Sequence, residues 1–203
     1  AEAFAPHAPA IVGRLEDSDS GVREAAAKAL ATLPAEALAA HAPAIVGKLE
    51  DSDWGVRQAV AKLPAEALAA HAAAIAGQLE HSDSDPSVRY TALQALAQLP
   101  AEALAAHAPT IVGKLEDSMS GVREAAVEAL AKLPAEAFAA HAPAIVGKLE
   151  HSDSEVRQTA VEALAQLSAE DLAAHAPAIV GRLEDSDSGG RRAAVEALAT
   201  LPA

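Results

Sequence analysis

The chain repeats one segment six times, and this internal period constrains its fold more than any other feature. A histidine recurs at positions 7, 41, 71, 107, 141 and 175, each time within a variant of LPAEALAAHAPAIVGKLEDSDSGVREAAVEALAKLP. Successive histidines are separated by 34, 30, 36, 34 and 34 residues. Periods of this length, with two helix-like halves, are typical of solenoids in which each repeat buries its apolar face against its neighbours. We therefore predict an all-helical repeat fold.

The period also defines the domain organisation. We place the repeats at approximately 1–34, 35–64, 65–100, 101–134, 135–168 and 169–203. A solenoid grows linearly, so we predict one repeat domain spanning 1–203. Terminal repeats of a free-standing solenoid usually have a polar outer face, and neither terminal repeat is specialised in this way. We expect the chain to be a segment of a longer array.

Composition restricts the partners and the compartment. There are 29 acidic and 15 basic side chains, a formal net charge of −14, and an acidic surface repels phosphate backbones. We therefore expect no nucleic acid partner. The chain has no cysteine, does not open on a secretory leader, and has no apolar stretch long enough to span a membrane. We expect no membrane association and an intracellular, cytoplasmic location.

Each repeat contains two helical patterns. In the second repeat the apolar residues Leu38, Ala42, Ile45, Val46 and Leu49 form one stripe at helical spacing, which predicts helix A. Proline within this stripe, at position 43 in the second repeat, should kink or split helix A. The second half begins after a turn rich in Asp and Ser, whose side chains cap free N–H groups, and its apolar spacing predicts helix B.

Two repeats differ in length, and each difference predicts a local change. The second repeat lacks four residues within helix B, close to the 3.6 residues of one turn. We predict that its helix B is one turn shorter and that the superhelix changes curvature there. The third repeat gains two residues in the segment 82–87, which should lengthen the turn between helices A and B.

The residues Pro43, Ile45, Leu49, Asp53 and Val56, followed by an arginine at position 57 and spaced Ala and Leu, resemble the HEAT repeat. The armadillo repeat is similar, because a short helix before the proline could serve as a third helix. The resemblance covers the whole chain. It implies an all-α fold, a right-handed α-solenoid of about six HEAT-like helical hairpins.

By this resemblance, the turn aspartate and the helix B arginine form a ladder of polar contacts. The expected pairs are Asp19 with Arg23, Asp53 with Arg57, Asp85 with Arg89, Asp153 with Arg157, and Asp187 with Arg191. In the fourth repeat Met119 replaces the aspartate while Arg123 remains, which predicts a missing contact and a weaker stack. In the sixth repeat Gly190 replaces a valine, which puts normal packing of that helix start in doubt.

HEAT proteins are mostly binding scaffolds in which helix B lines the concave face. The resemblance implies a binding surface made of Glu24, Lys28, Trp54, Gln58, Tyr90, Gln94, Glu124, Glu128, Gln158, Glu162, Arg192 and Glu196. Most of these side chains are acidic or amide, so we expect a protein or peptide partner with a basic face. Trp54, the only tryptophan, is either a binding hot spot or an aromatic residue that packs over its own helix ends.

The histidine column does not predict a metal site. Histidines on neighbouring repeats should be separated by about one helix diameter, roughly 10 Å, whereas zinc ligands lie about 2 Å from the metal. We predict that these histidines bond backbone carbonyls freed by the proline, with a pH-sensitive ladder as the alternative. A glycine column at positions 13, 47, 77, 113, 147 and 181 has no explanation at this level.

One enzyme family with the HEAT fold, the deoxyhypusine hydroxylases, binds two irons through His-Glu pairs. Here the pairs Glu80-His81 and Glu150-His151 have the reversed order and are only two in number, and metal binding depends on ligand count and placement. We predict a non-enzymatic scaffold that binds a protein or peptide, with no catalytic residues, metal or cofactor. The alternatives are a structural spacer in a larger repeat protein, an engineered repeat scaffold, and a metalloenzyme of the HEAT fold.

Overall fold

A computed structural model describes residues 5–80 and 85–201. Its backbone contacts divide the chain into two compact units, unit 1 from Ala1 to Leu104 and unit 2 from Ala105 to Ala203. Unit 1 holds the first three repeats and the start of the fourth, and unit 2 holds the rest. The described residues form helices and turns without a β-strand.

The helices follow the predicted two-part repeat. In unit 1 the α-helices of the helix A halves are Ala8–Gly13, Ala35–Leu38, Ala42–Val46, Ala65–Ala69 and Ala72–Glu80, and helix B is Ser20–Leu30, Trp54–Ala61 and Pro86–Leu96. The fourth repeat begins with Ala101–Ala105. In unit 2 the helix A halves are Ala108–Gly113, Ala135–Gly147 and Ala169–Gly181, and helix B is Ser120–Leu130, Ser154–Leu164 and Ser188–Ala199.

Short 3-10 segments complete several of the helix A halves. They are Ala5–His7, Arg14–Glu16, Ala39–His41, Gly47–Glu50, Lys114–Glu116, Lys148–Glu150 and Arg182–Glu184. The five repeats with the helix A proline all end helix A in such a 3-10 segment. The third repeat has Ala73 in place of the proline, and its helix A stays α-helical to Glu80.

Proline alone does not decide whether helix A is split. In the second and fourth repeats the proline lies in the first turn of the second α-helix of helix A, and in the first repeat it lies in the first turn of Ala8–Gly13. A proline at the start of a helix costs no hydrogen bond, because the N–H groups there have no partner within the helix. Pro143 and Pro177, however, lie inside continuous helices. The third repeat is divided between Ala69 and Ala72 without any proline. The predicted split therefore occurs in the second and fourth repeats but not in the fifth and sixth, and in the third repeat it occurs without proline.

Helix B begins in the way the turn sequence predicts. The carboxylates of Asp19, Asp53, Asp85, Asp153 and Asp187 accept backbone N–H groups from the first helical turn, and such caps are worth about 1 kcal/mol each. Met119 provides no side-chain cap. The helix B of the second repeat has eight residues, whereas the first repeat has eleven, so the predicted shortening is confirmed. Of the lengthened turn, residues 81–84 lie outside the described residues.

The core is made of aliphatic side chains on the facing stripes of helices A and B. Leu30, Leu49, Ile75 and Leu96 are fully buried in unit 1. Phe138 is buried in unit 2, as its place on the stripe predicts, while Phe4 lies outside the described residues. Many of the remaining core positions are alanines, which let helices approach closely but bury little area each. The stack therefore depends on continuity from one repeat to the next.

The glycine residues fall into two groups. A Cβ added at any of positions 13, 47, 77, 113, 147 and 181 would meet no atom within 4 Å, so close helix approach does not explain that column. At Gly190 an added Cβ would lie 3.1 Å from Cγ of Asp185. The helix start there is intact, because Asp187 caps it and Gly190 is buried. The carboxylate of Asp185 lies close to the space that a valine would use.

Candidate binding surface and arginine rungs

The first and second repeats are joined by an arginine that reaches forward along the chain. Arg23 donates from Nε to Oδ2 and from Nη2 to Oδ1 of Asp51, both at 2.9 Å. Its Nη1 donates to the carbonyls of Asp17 and Ser18. Burial raises the pKa of Asp51, but the hydrogen bonds from Arg23 and the Asp53 N–H outweigh it and lower that pKa overall. We call such an inter-repeat arginine contact a rung.

The fifth and sixth repeats carry the same rung. Arg157 donates from Nε and Nη2 to the two carboxylate oxygens of Asp185, both at 2.7 Å. The side chain of Asp185 is almost completely buried. The hydrogen bond from Arg157 holds the pKa of Asp185 well below its usual range, against the effect of burial. The same bond raises the pKa of Arg157. Bidentate pairs of this kind are the strong form of the arginine–carboxylate interaction.

Between the second and third repeats the acceptor is different. The third repeat has His81 where Asp51 and Asp185 stand in their repeats. Arg57 donates from Nη2 to Oγ of Ser87 at 2.9 Å and from Nη1 to the carbonyls of Asp51 and Ser52. Its buried Nε has no hydrogen-bond partner among the residues that the structure describes, which exclude His81.

Between the fourth and fifth repeats, in unit 2, a histidine again replaces the aspartate, since His151 stands at the position of Asp51. Arg123 donates to Oε2 of Glu155 and to the carbonyl of Asp117, and within the described part of the chain its buried Nε has no partner. Nδ1 of His151 accepts the N–H of Asp153 at 3.0 Å, the bond that Asp51 makes to its own turn. In the aspartate rung one residue, such as Asp51, both accepts an N–H of its own turn and binds the arginine. Here His151 accepts the N–H and Glu155 binds the arginine.

For the expected pairs of Asp19, Asp53, Asp153 and Asp187, the assignment of these aspartates as the arginine acceptors was wrong. Asp19, Asp53, Asp153 and Asp187 cap their own helices, and their arginines bond other side chains or carbonyls. The pair Asp85 with Arg89 stays a prediction. No rung is missing at Met119, because Arg123 uses Glu155. A sequence signal for the change did exist: the repeats with His81 and His151 are also those in which Ser87 and Glu155 replace glycine.

Sequence reasoning missed a second row of ion pairs. Nζ of Lys48 lies 2.9 Å from Oε1 of Glu16, and Nζ of Lys148 lies 2.8 Å from Oε1 of Glu116. Arg182 likewise contacts Glu150 and donates to the carbonyl of Leu149. Each pair joins a helix A end to the preceding repeat. The sequence did contain a signal for these pairs, because a basic residue recurs two positions before a glutamate at the end of helix A.

In unit 1 the predicted helix B residues form a connected surface. Gln58 donates to Gln94 at 2.6 Å, and Gln94 donates to the hydroxyl of Tyr90 at 2.9 Å. The rings of Trp54 and Tyr90 stack with centroids 5.7 Å apart. Trp54 remains 47% exposed, and the Arg57 guanidinium lies 5.5 Å from its ring centroid. Trp54 thus packs on the next repeat while presenting an aromatic surface.

A cleft of about 420 Å³ opens on this surface. Its lining residues are Glu24, Lys28, Ala31, Trp54, Gly55, Gln58, Ala59 and Lys62. Glu24 pairs with Lys28 at 2.7 Å. A Cβ added at Gly55 would lie 2.6 Å from the Glu24 carboxylate, so the Glu24 side chain lies over the start of the next helix B. Four of the predicted surface residues therefore line one cleft.

In unit 2 the corresponding surface is acidic. A cleft of about 220 Å³ is lined by Ser120, Arg123, Glu124, Glu155, Gln158, Thr159 and Glu162. Gln158 donates to Glu162 at 2.8 Å. Glu128 is exposed on the same helix as Glu124. Arg192 and Glu196 form a weak, exposed ion pair at 3.9 Å.

The histidine column and the metal hypothesis can be followed residue by residue. His41, His71, His107, His141 and His175 are half-buried and His7 is exposed, and none makes a side-chain hydrogen bond within the described residues. The predicted bond to a carbonyl is therefore wrong there. Over residues 5–80 and 85–201, no group of three His, Asp or Glu side chains is placed to hold a metal ion. His81 lies outside that part of the chain, and Glu150 pairs with Arg182.

Comparison with known families decides the classification. A model of HEAT repeats matches residues 73–141 and 137–199, and a HEAT repeat model matches residues 8–33. The chain belongs to the HEAT repeat family. No curated protein matches this HEAT repeat chain in sequence. None of the helices in its described part is both long and apolar enough for a membrane span.

Solved structures support the same architecture for this HEAT repeat protein. Two engineered proteins, each 24% identical, align with TM-scores of 0.52 and 0.50; the first alignment covers 96% of both chains, the second 95% of this chain and 97% of the other. A designed armadillo repeat protein in complex with the peptide (KR)4 is 20% identical, with a TM-score of 0.51 and coverage of 96% and 99%. At these identities the likeness establishes the fold, an all-α helical-repeat solenoid.

Proposed function

We propose that this HEAT repeat protein is a non-enzymatic scaffold whose helix B surface binds a basic peptide, or a basic segment of a protein. The observation that carries the proposal is that helix B side chains from successive repeats line a shared cleft in each unit. A surface of this kind can follow an extended chain, because each repeat presents the same helix B positions at a regular interval.

The charges in unit 2 favour a cationic ligand. Of the ionisable side chains lining its cleft, three are glutamates, and the single arginine, Arg123, is already paired with Glu155. Glu124 and Glu128 are exposed and form no ion pair within the described part of the chain. Complementary charge raises the rate of encounter and disfavours acidic competitors. The net charge of −14 acts in the same direction.

The surface in unit 1 adds an aromatic contact. Trp54 is held on one side by Tyr90 and presents nearly half of its surface to solvent. Tryptophan faces attract the guanidinium and ammonium groups of Arg and Lys. The (KR)4 complex of the designed armadillo repeat protein supports the choice of peptide. Since that protein shares only the fold, its peptide serves here as a probe.

The test is a titration of the full chain with (KR)4 by isothermal calorimetry, with Trp54 fluorescence as a second signal. We expect binding that weakens steeply with salt, and weakens at least tenfold in the triple variant E124Q/E128Q/E162Q. The matched control E102Q/E136Q/E170Q removes the same charge from exposed glutamates in helix A. Binding should change less than threefold in the control.

Equal losses in both triple variants would show that net charge alone attracts the peptide, and would contradict the assigned surface. No binding at low salt would also overturn the proposal and favour the structural spacer. Weaker calorimetric binding of (KR)4 by a Trp54→Ala variant, with binding by the helix A control retained, would support the surface in unit 1.

A further inference from the structure

The charged residues of helix B are distributed differently in the two units. Counted from the first residue of each helix B, the ninth position holds Lys28, Lys62 and Gln94 in unit 1 and Glu128, Glu162 and Glu196 in unit 2. Both lysines line the cleft in unit 1. The cation that lines the cleft in unit 2 is Arg123, which Glu155 already binds. The two clefts therefore differ in the charged groups that they can hold.

Lys62 lies at the end of the short helix B of the second repeat. That helix ends at Ala61, and Lys62 follows directly as its C-cap residue. In the first repeat helix B continues to Leu30, and Lys28 lies inside it. Lys62 is exposed, and it forms no ion pair within the part of the chain that the structure describes. Its ammonium group can therefore bind an anionic group of a ligand in the cleft.

A negative group lies at the other end of the same helix. The Glu24 carboxylate lies over the helix start, since a Cβ added at Gly55 would be 2.6 Å from it. Lys28 binds Oε1 of this carboxylate at 2.7 Å, which leaves Oε2 for a ligand. Gly55 and Lys62 are separated by about two helical turns, roughly 10 Å along the helix. The cleft in unit 1 thus has a carboxylate near one end and an ammonium group near the other.

Several of the other residues that line this cleft are small or aromatic. Ala31, Gly55 and Ala59 add little side-chain volume, and Trp54 lies beside them. Trp54 is held in place by stacking on Tyr90. The alkyl stem of a lysine or arginine buries apolar area against such a surface while its charged head stays in water. The cleft therefore suits a long side chain whose residue carries one positive and one negative group.

We propose that the cleft in unit 1 binds the C-terminal residue of the basic segment, a lysine or arginine with a free α-carboxylate. This assignment rests on the proposed function and names the residue that anchors the ligand. The α-carboxylate pairs with Lys62, the alkyl stem packs on Trp54, and the cationic head reaches Glu24. A C-terminal basic residue carries both charges within the length of one extended side chain. An internal basic residue supplies no anion for Lys62.

The test compares (KR)4 that ends in a free carboxylate with the same peptide ending in an amide. Both are titrated into the full chain by calorimetry at one salt concentration. Amidation makes the peptide more positive, so attraction to a chain of net charge −14 would by itself strengthen binding. We expect the opposite result, with the amidated peptide bound about fivefold more weakly, because Lys62 loses its ion pair.

Lys62→Gln removes the proposed partner of the carboxylate. The peptide with the free carboxylate should then bind as weakly as the amidated one, although the variant chain is more acidic than the wild type. Lys132→Gln is the matched control, because it removes the same charge just after helix B of the fourth repeat. In this control the two peptides should differ as they do with the wild type. Both lysines are exposed, and circular dichroism checks that both variants are folded.

The outcomes separate this inference from the function on which it rests. Equal or tighter binding of the amidated peptide to the wild type would overturn the C-terminal assignment and leave the proposed function standing. No binding of either peptide at low salt would overturn both. An amidated peptide with one glutamate after (KR)4 supplies a side-chain carboxylate instead. If it bound as tightly as the peptide with the free carboxylate, the assignment to the C-terminal residue would be wrong.

Discussion

Each unit contains two rungs of different construction, and their comparison shows how one contact can be made in two ways. Arg23 and Arg157 bond both oxygens of a buried aspartate in the next repeat. Arg57 and Arg123 instead bond Ser87 and Glu155. The aspartate rungs satisfy the arginine Nε, whereas in the substituted rungs it is buried and finds no partner among residues 5–80 and 85–201. An unpaired buried donor costs about 1–3 kcal/mol, so the two kinds of rung should differ in strength.

The glycine at the helix B start links the rung to the helix B surface. Gly55 and Gly189 stand at the position of Ser87 and Glu155. A Cβ added at Gly189 would lie 2.2 Å from Oε1 of Gln158, because that side chain crosses the helix start. In the substituted rung of unit 1, Gln58 turns to Gln94 instead and leaves room for Ser87. The rung acceptor and the helix B surface are therefore coupled.

The largest expected effect comes from breaking an aspartate rung. Asp185→Ala should lower the free energy of unfolding by about 3 kcal/mol, because it leaves the largely buried Arg157 without its carboxylate. Glu155→Ala should cost about 1 kcal/mol, since Glu155 is mostly exposed. Urea denaturation at pH 7 measures both. Equal losses would contradict the difference between the two kinds of rung.

Acid should weaken the same rung. The pKa of Asp185 is lower in the folded chain than its ordinary value of 3.8 because Arg157 bonds the carboxylate. Its contribution is therefore complete above pH 3.8 and is lost as the pH falls further. The difference in unfolding free energy between the wild type and Asp185→Asn should shrink by about 2 kcal/mol between pH 5 and pH 2. A constant difference would mean that ionisation of Asp185 does not contribute.

A substituted rung can be converted into an aspartate rung. His151→Asp places a carboxylate where Asp51 and Asp185 stand, and it can accept from the unpaired Nε of Arg123. We expect a gain of about 1 kcal/mol in urea denaturation. His151→Asn is the control, because it keeps an oxygen for the Asp153 N–H but adds no charge. A loss of stability in His151→Asp would show that the imidazole has a role beyond its turn.

The smallest effect distinguishes the two groups of glycines. Gly181→Ala should raise the unfolding free energy by about 0.5–1 kcal/mol, because the new Cβ meets open space and alanine favours the helix. Gly189→Ala should gain less, since the Gln158 side chain must move. Thermal unfolding of the two variants compares them directly. An equal gain at both positions would show that Gln158 does not restrict the rung position.

The sequence pattern predicts which residues lie on helix B. It does not predict which side chains of neighbouring repeats contact one another. Glu24, Gln58 and Gln158 occupy equivalent positions of helix B in their own repeats, which follows from the repeat alignment alone. That Trp54 stacks on Tyr90, and that Gln58 bonds Gln94, depends on how one repeat is rotated on the next. A single sequence contains no direct measure of that rotation, because the contacts join residues 36 positions apart.

The sequence alone determined the period, the two helices of each repeat, their aspartate caps and the shortened helix B of the second repeat. These are local properties, set by the spacing of apolar side chains and by short polar side chains next to free N–H groups. The tertiary structure decided which acceptor receives each arginine, and which aromatic and amide side chains meet between repeats. Those outcomes depend on the stacking register between repeats, because partners separated by about thirty residues meet only when the helices pack.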